Sequence, residues 1–239
     1  MTALKWPKTD TKIKVVIFDM DDTLYLERDF VLSGFRAVAR WGETTLNIPY
    51  TKGYALLKQY FVENIRGNTF NLWLNHFQQT NEALVPRLIE VYREHTPDIT
   101  PLPEMADAVH HLSQYTKLAL LSDGYLAVQQ RKFHALRLAD YFDCVVFSDQ
   151  FGRENWKPST IPYQHILDHF DIPGQNAIYI GDNASKDFYG AHQLGLQTIH
   201  LRHLQGLYGE KQPPTDQHRA TVSTADVTKM IELITSATT

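Results

Sequence analysis

The chain has 239 residues, of which 43% are hydrophobic and 21% are charged, with 12 glycines and 11 prolines. This composition is typical of a globular protein and excludes a collagen-like repeat or a long disordered chain. The formal net charge of −4 excludes the broad basic field that non-specific nucleic-acid binding uses, so we expect no nucleic-acid partner.

The single cysteine and the distribution of apolar residues bear on the compartment. Cys144 alone cannot form an intramolecular disulfide, which favours a reducing environment. The stretch 1–14 lacks the apolar core of a signal peptide, and no stretch approaches the ~18 apolar residues of a membrane span. We therefore expect a cytoplasmic protein with no membrane partner, and the sequence predicts no particular oligomeric state.

Short apolar runs alternate along the chain with helix-length amphipathic segments, which is typical of a parallel sheet with helices on both faces. The predicted strands are 13–19, 117–123, 143–149, 176–182 and 197–201. The helices predicted among and after them are 103–115, 127–138, 160–170, 185–195 and 225–235. Ligands of such sheets bind at the carboxyl ends of the strands.

Residues 27–97 interrupt this alternation, because they contain apolar residues at helical spacing but no strand pattern. Polar breaks divide the segment into about four predicted helices. We therefore predict an α/β, Rossmann-like core domain formed by residues 1–26 and 98–239. The segment 27–97 is predicted to be a small helical bundle inserted after the first strand.

Three carboxylates follow the first predicted strand in the stretch VVIFDMDDTLY, namely Asp19, Asp21 and Asp22. Like charges this close together repel one another, and carboxylates resist burial. The cluster is therefore either a solvated turn or part of a site that binds a cation.

Other polar residues lie at or beyond the ends of later predicted strands. They are Ser122 and Asp123 in LLSDG, Lys157 in NWKPS, and Asp182 and Asp187 in IGDNASKD. Because the carboxyl ends of parallel strands meet at one edge of a sheet, we expect these side chains to join the first carboxylates. The hydroxyl and ammonium groups among them supply the hydrogen-bond donor and the positive charge that a cluster of carboxylates lacks.

Together these stretches resemble the four motifs of the haloacid dehalogenase (HAD) hydrolase superfamily, in the same order along the chain. The first motif is D-x-D-x-T, the second a Ser or Thr, the third a Lys, and the fourth G-D followed by a further Asp. The matching residues are Asp19, Asp21 and Thr23; Ser122; Lys157; and Gly181, Asp182 and Asp187. The helical insert resembles the C1 cap domain of the phosphatases in this superfamily.

The resemblance implies a Mg²⁺-dependent phosphatase that hydrolyses a small phosphorylated metabolite through an aspartyl phosphate on Asp19. It also implies that Asp19, Asp182 and the backbone carbonyl of Asp21 hold the Mg²⁺. Elementary chemistry agrees, because a carboxylate that attacks a phosphate dianion is repelled by it, and a hard cation with oxygen ligands relieves that repulsion.

Asp21 is the predicted general acid and base, since it follows the nucleophile by two residues. In the superfamily, phosphatases and phosphomutases carry this residue, whereas dehalogenases do not. We expect it to protonate the leaving alkoxide and then to activate water, with a pKa that the neighbouring carboxylates raise.

The remaining motif residues are assigned to the phosphate and to supporting roles. Ser122, Asp123 and Lys157 are expected to bind the phosphate, Asp123 through its backbone N–H. Asp187 is expected to orient Lys157 or metal-bound water. Asp22 is expected to be a solvated turn residue.

The motifs are also compatible with two other functions. A phosphomutase of the β-phosphoglucomutase type shares all four motifs, and a non-catalytic sensor of a phosphorylated ligand would keep the pocket. The substrate is equally open among sugar phosphates, nucleotides and other small metabolites. In the insert, Arg66, Trp73 and His76 are expected to face the substrate.

Overall fold

A computed structural model describes residues 12–81, 83–203, 205–209 and 211–238. Within them, parallel strands form a sheet in the order β3-β2-β1-β4-β5-β6. The strands are β1 Val15–Phe18, β2 Lys117–Ser122, β3 Cys144–Phe147, β4 Ala177–Gly181, β5 Gln197–Leu201 and β6 Val222–Thr224. The predicted α/β, Rossmann-like fold class is confirmed.

Helices account for most of the remaining regular structure. They are α1 Glu27–Leu46, α2 Tyr50–Val62, α3 Thr69–His76, α4 Leu84–Glu94, α5 Pro103–Leu112, α6 Leu126–Leu136, α7 Ile161–Phe170, α8 Tyr189–Gln193 and α9 Val227–Thr238. Among the described residues, no helix combines the length and the apolar character needed to cross a membrane.

The central strands read as continuous apolar runs because both faces of the sheet are covered. Every residue of β1 and β4 is buried, and so is every residue of β2 after Lys117. Tyr163 and Ile166 of α7 pack with Ile17 and Tyr179 in the core on one face of the sheet. The short edge strand β6 was not predicted, because its three residues are too few to show a period-2 pattern.

The described chain divides into two compact units. One unit comprises the described residues up to Glu27 and from Thr100 onward, and it contains the sheet. The other is Arg28–Ile99, which contains nearly all of α1 together with α2, α3 and α4.

Trp73 lies at the centre of the helical unit, which corrects the expectation that it faces a substrate. Its side chain is fully buried with Leu57 and Leu88, and its indole N–H donates a hydrogen bond of 2.9 Å to the carbonyl of Gly53. Both faces of α3 are rich in apolar residues, so the sequence pattern alone did not show which of them point inward. Arg66 and His76, in contrast, are exposed.

The close approach of Gly42 to Trp73 yields a prediction about the helical unit. A Cβ on Gly42 would lie 2.6 Å from a carbon of the Trp73 ring. Alanine favours a helix over glycine by about 1 kcal/mol, but overpacking costs about 1–3 kcal/mol, so Gly42→Ala should be net destabilising. In a Trp73→Leu background the same change should be neutral or stabilising, because the ring is gone.

Urea unfolding of the four proteins in this double-mutant cycle measures both effects. An equal effect of Gly42→Ala in the two backgrounds would show that the glycine is not required by the ring.

Candidate active site

Three neighbouring strands bring their carboxyl ends together at one edge of the sheet. Asp19 directly follows β1, Ser122 ends β2, and Asp182 directly follows β4. The Asp19 N–H donates to the carbonyl of Ile180 on β4 at 2.8 Å, so the first carboxylate is held in register with the sheet. The structure thus places these three motif residues at the same edge, as expected for parallel strands.

Lys157 lies in the loop before α7 and reaches this edge as a buried ammonium. Its Nζ lies 2.8 Å from an Asp19 carboxylate oxygen and 2.9 Å from an Asp187 carboxylate oxygen. It also donates a hydrogen bond of 2.7 Å to the hydroxyl oxygen of Tyr179. One cation therefore neutralises part of the charge of two carboxylates that are buried with it, as an isolated buried charge would be prohibitively unfavourable.

Asp187 is fixed from several sides. Its second carboxylate oxygen accepts the N–H of Asn183 at 2.8 Å, and its backbone carbonyl accepts the Tyr163 hydroxyl at 2.7 Å. A Cβ on Gly181 would lie 2.5 Å from this carboxylate, so glycine at the end of β4 gives Asp187 its room. Burial acts to raise the pKa of Asp187, but the charges of Lys157 and Lys186 outweigh it and hold the pKa below its usual value.

The carboxylates at the sheet edge fit a divalent cation. Asp19, Asp182 and Asp187 each offer an oxygen, and these oxygens lie within 4.8 Å of one another. Asp187 is already paired with Lys157, whereas one Asp182 oxygen is buried without a hydrogen-bond partner among the described residues. Burial and the charges of Asp187 and Asp19 raise the pKa of Asp182 well above its usual value. Asp19 and Asp182 are therefore the carboxylates that a hard cation would best compensate.

Asp19 combines burial with an adjacent cation. Burial raises its pKa to about 6, and the charge of Lys157 opposes that rise. Without Lys157 the pKa of Asp19 would be higher still, so the ion pair favours the ionised, nucleophilic form at neutral pH.

Ser122 presents a buried hydroxyl at the end of β2. Its Oγ is buried and makes no hydrogen bond within the described part of the chain. A buried hydroxyl that remains unpaired is unfavourable, and a ligand oxygen at the sheet edge would satisfy it.

Asp123 is placed differently from a phosphate-binding side chain. One of its oxygens accepts the Ser148 hydroxyl at 2.6 Å and the Lys157 N–H at 3.1 Å, and the other lies 3.4 Å from the ammonium of Lys186. Through these hydrogen bonds, the Asp123 carboxylate links the loop after β2 to the loop after β3 and to the loop that carries Lys157. Only its backbone N–H is left for a role in binding phosphate.

Asp21 departs from expectation in its electrostatics. Lys132 of α6 lies 2.9 Å and 3.0 Å from its two carboxylate oxygens, Gln129 donates to it at 3.0 Å, and the Tyr25 hydroxyl donates a short hydrogen bond. Burial acts to raise the pKa of Asp21, but Lys132 and these donors outweigh it, so the pKa is lowered. The prediction that neighbouring carboxylates raise this pKa is wrong, because a buried ammonium also faces the group.

Asp22 is not the solvated turn residue that was expected. It is 1% exposed and adopts a left-handed conformation with φ of 53°. Its carboxylate accepts the N–H of Glu27 at 2.8 Å and the N–H of Leu207, in the loop after β5, at 2.6 Å. It therefore fixes the turn that carries Asp21 to a loop distant in the sequence.

Several residues around the motifs were missed by sequence reasoning. Gln129 and Lys132 are three residues apart on the helix that follows Ser122, a spacing that places both on one helix face and that could have drawn attention to them. Glu27 gave no such signal, although burial and the charge of Asp21 raise its pKa to about 7. These groups lie near the motifs because of tertiary packing, which local sequence patterns do not predict.

Comparison with known proteins identifies the family. A family model described as haloacid dehalogenase-like hydrolase matches residues 16–201. The chain belongs to this family. The match runs from β1 to the end of β5 and so spans all four motifs on which the resemblance rested.

Similar proteins within this hydrolase family differ in what they act on. A glyceraldehyde 3-phosphate phosphatase of Methanocaldococcus jannaschii is 27% identical over 207 residues, which cover 82% of this chain and 87% of the relative. A pyrimidine 5′-nucleotidase of Escherichia coli is 27% identical over 201 residues, covering 78% and 84%. The structure of a HAD hydrolase of Bacillus subtilis bound to magnesium has a TM-score of 0.65 at 18% identity, covering 94% of this chain and 99% of that one. This last likeness shows that the fold is shared.

The buried position of Lys157 generates a stability prediction for this hydrolase. Removing one partner of a buried ion pair costs about 3–5 kcal/mol, so Lys157→Met should lower the free energy of unfolding by that amount in metal-free buffer. Asp19 and Asp187 would then lose the ammonium that contacts both of them. The matched control is Lys117→Met, which removes an ammonium 2.7 Å from Asp143 in an exposed pair and should cost at most about 1 kcal/mol.

Urea unfolding in the presence of a chelator gives both values. Similar losses for the two variants would contradict a structural role for the buried ammonium.

Proposed function

We propose that this HAD hydrolase is a Mg²⁺-dependent phosphatase of the cytoplasm that hydrolyses a small phosphorylated metabolite through an aspartyl phosphate on Asp19. The observation that carries the proposal is the pairing of the Asp19 carboxylate with the buried ammonium of Lys157 at 2.8 Å. At the same edge of the sheet, the Ser122 hydroxyl has no hydrogen-bond partner among the described residues. A nucleophile, a cation and a hydroxyl donor are the groups that phosphoryl transfer to a carboxylate requires.

In the first step, an Asp19 oxygen bonds to phosphorus and the bond from phosphorus to the leaving oxygen breaks. Asp21 gives a proton to that oxygen, so the product leaves as an alcohol and Asp21 becomes a carboxylate. Because Lys132 lowers the pKa of Asp21, Asp21 has to take up this proton against that effect, and the negative charge of the bound phosphate would favour the uptake. In the second step, water attacks the phosphorus and Asp21 takes up the proton that water loses. Inorganic phosphate is released, Asp19 is restored, and Asp21 holds the proton for the next cycle.

Lys157 and Ser122 would hold the non-bridging phosphate oxygens, the first by charge and the second by donating its hydroxyl hydrogen. Asp187 supports Lys157 through the 2.9 Å contact between them. Asp19, Asp182 and the carbonyl of Asp21 would hold the Mg²⁺, which when bound supplies positive charge against the negative charge of the phosphate. The orphaned Asp182 oxygen supports this assignment.

Substrate selection by the helical unit, as a C1-type cap, is part of the proposal. The relatives include a phosphatase of a three-carbon sugar phosphate and a nucleotidase, so proteins with similar sequences act on different leaving groups. The catalytic motifs handle the phosphate, which those substrates share, and leave specificity to other residues. Arg66 and His76 are exposed polar residues of the helical unit that are available for such a role.

The covalent step can be tested with Asp19→Asn, a nearly isosteric change. This variant should release no phosphate from glyceraldehyde 3-phosphate, a pyrimidine 5′-nucleotide or p-nitrophenyl phosphate, because an amide is a poor nucleophile. Wild-type protein treated with beryllium fluoride should carry the adduct on Asp19, as seen by crystallography. Asp216→Asn, at a side chain that is 95% exposed, is the control and should keep full activity.

The proposal fails if the wild type hydrolyses none of a broad panel of phosphate esters with Mg²⁺, or if Asp19→Asn remains active.

The metal assignment has a test that does not depend on turnover. A ligand at 100 times its Kd stabilises a protein by about 2.7 kcal/mol, so saturating Mg²⁺ should raise the Tm of the wild type. Asp182→Asn should lose this response, because it removes a charged oxygen ligand. Asp123→Asn changes a buried carboxylate at the same sheet edge that is not assigned to the metal, and it should keep the response.

Thermal unfolding with and without Mg²⁺ measures all three proteins. An undiminished Tm shift in Asp182→Asn would rule this residue out as a ligand.

A further inference from the structure

The carboxylate of Asp21 is enclosed by three donors from two elements of the core unit. The Lys132 ammonium contacts both oxygens, at 2.9 Å and 3.0 Å, and Gln129 donates to one of them at 3.0 Å. The Tyr25 hydroxyl donates to the other. These contacts reach both carboxylate oxygens and restrict the rotation of the group, and one of them has to yield when Asp21 takes up a proton.

Gln129 also connects two loops of the site. Its side-chain amide donates to the carbonyl of Asp123, in the loop after β2, as well as to Asp21 in the turn after β1. Gly124 has a φ of 131°, and a Cβ there would lie 2.4 Å from this amide. Glycine thus allows the side chain of Gln129 to approach the backbone next to Ser122. The position of Asp21 is thereby coupled to the loop that presents the phosphate-binding hydroxyl.

We propose that Lys132 and Gln129 are positioning residues that hold the Asp21 carboxylate where it can exchange a proton with the leaving oxygen and with the attacking water. The inference rests on the proposed function, since it assigns a purpose within that reaction. Proton transfer requires the two heavy atoms to lie within hydrogen-bond distance, and a displacement of about 1 Å can reduce a rate by about 10²-fold.

The energetics favour a dedicated role for Lys132. Its side chain is 5% exposed, and burying an ammonium is strongly unfavourable unless an anion compensates it. A chain that needed only to attach α6 to the turn could use apolar contacts, which carry no desolvation penalty. The ion pair instead fixes both the direction and the distance of the carboxylate.

The first test compares Lys132→Met with Lys132→Arg and with Lys117→Met, the exposed control. Lys132→Met should lower kcat for an alkyl phosphate by about 10²-fold with little change in KM, because Lys132 is not assigned to the phosphate. In rapid-mixing experiments, release of p-nitrophenolate should fall much less, since this leaving group needs little protonation. Lys132→Arg should recover part of the rate, and Lys117→Met should behave as wild type.

A double-mutant cycle separates positioning from a merely structural role. If Lys132 acts through Asp21, then Lys132→Met should cause no further loss of kcat in an Asp21→Asn background. A residue that only stabilises the fold would reduce kcat by the same factor in both backgrounds. Gln129→Met offers a second variant in case Lys132→Met fails to fold, and its expected effect has the same sign and the same dependence on Asp21.

Crystal structures of the wild type and the Lys132 variants provide a readout without turnover. The Asp21 side chain should leave its present position in Lys132→Met and keep it in Lys132→Arg. An unmoved Asp21, or equal losses of kcat in the two backgrounds, would overturn the inference while leaving the phosphatase proposal intact. Absence of any phosphatase activity in the wild type would instead refute the proposed function, and the structures would still decide whether Lys132 positions Asp21.

Discussion

The burial of several carboxylates at one edge of a parallel sheet is the constraint on which the rest of the site depends. Such groups are strongly unfavourable in an apolar interior unless cations or donors compensate them. Lys157 compensates Asp19 and Asp187, and Lys132 compensates Asp21. Of the carboxylates in the described residues, only that of Asp182 keeps a buried oxygen without a hydrogen-bond partner there, so one more positive charge would be compensated at that point.

The fold and the motif residues could be predicted because both are encoded locally. Continuous apolar runs mark strands that are covered on both faces, and in a parallel sheet this also places the residues after Phe18 and Ile180 at one edge. The family match confirms the resemblance that the motifs around Asp19, Ser122 and Asp182 carried. The three-residue strand β6 lacked any such local signal.

The errors concern side chains whose environment is set by distant parts of the chain. Lys132, 111 positions away, lowers the pKa of Asp21, and Leu207, 185 positions away, donates a hydrogen bond to the buried Asp22. Trp73 lies in a helix with apolar residues on both faces, so the sequence did not show whether its side chain points into the helical unit or outward. The packing of the four helices of that unit shows that it points inward. The pKa and the burial of a motif residue therefore cannot be predicted from the motif alone, because they depend on tertiary contacts.

The hydrogen bond from Leu207 to Asp22 has a consequence for motions of the core unit. The amide of a loop residue normally exchanges its hydrogen with solvent quickly, yet this one donates at 2.6 Å to a carboxylate that is 1% exposed. Exchange at Leu207 then requires this hydrogen bond to break, which also removes a donor from the carboxylate of Asp22 in the turn after β1. Opening of the loop after β5 would thereby also loosen the turn after β1, which follows Asp19 directly.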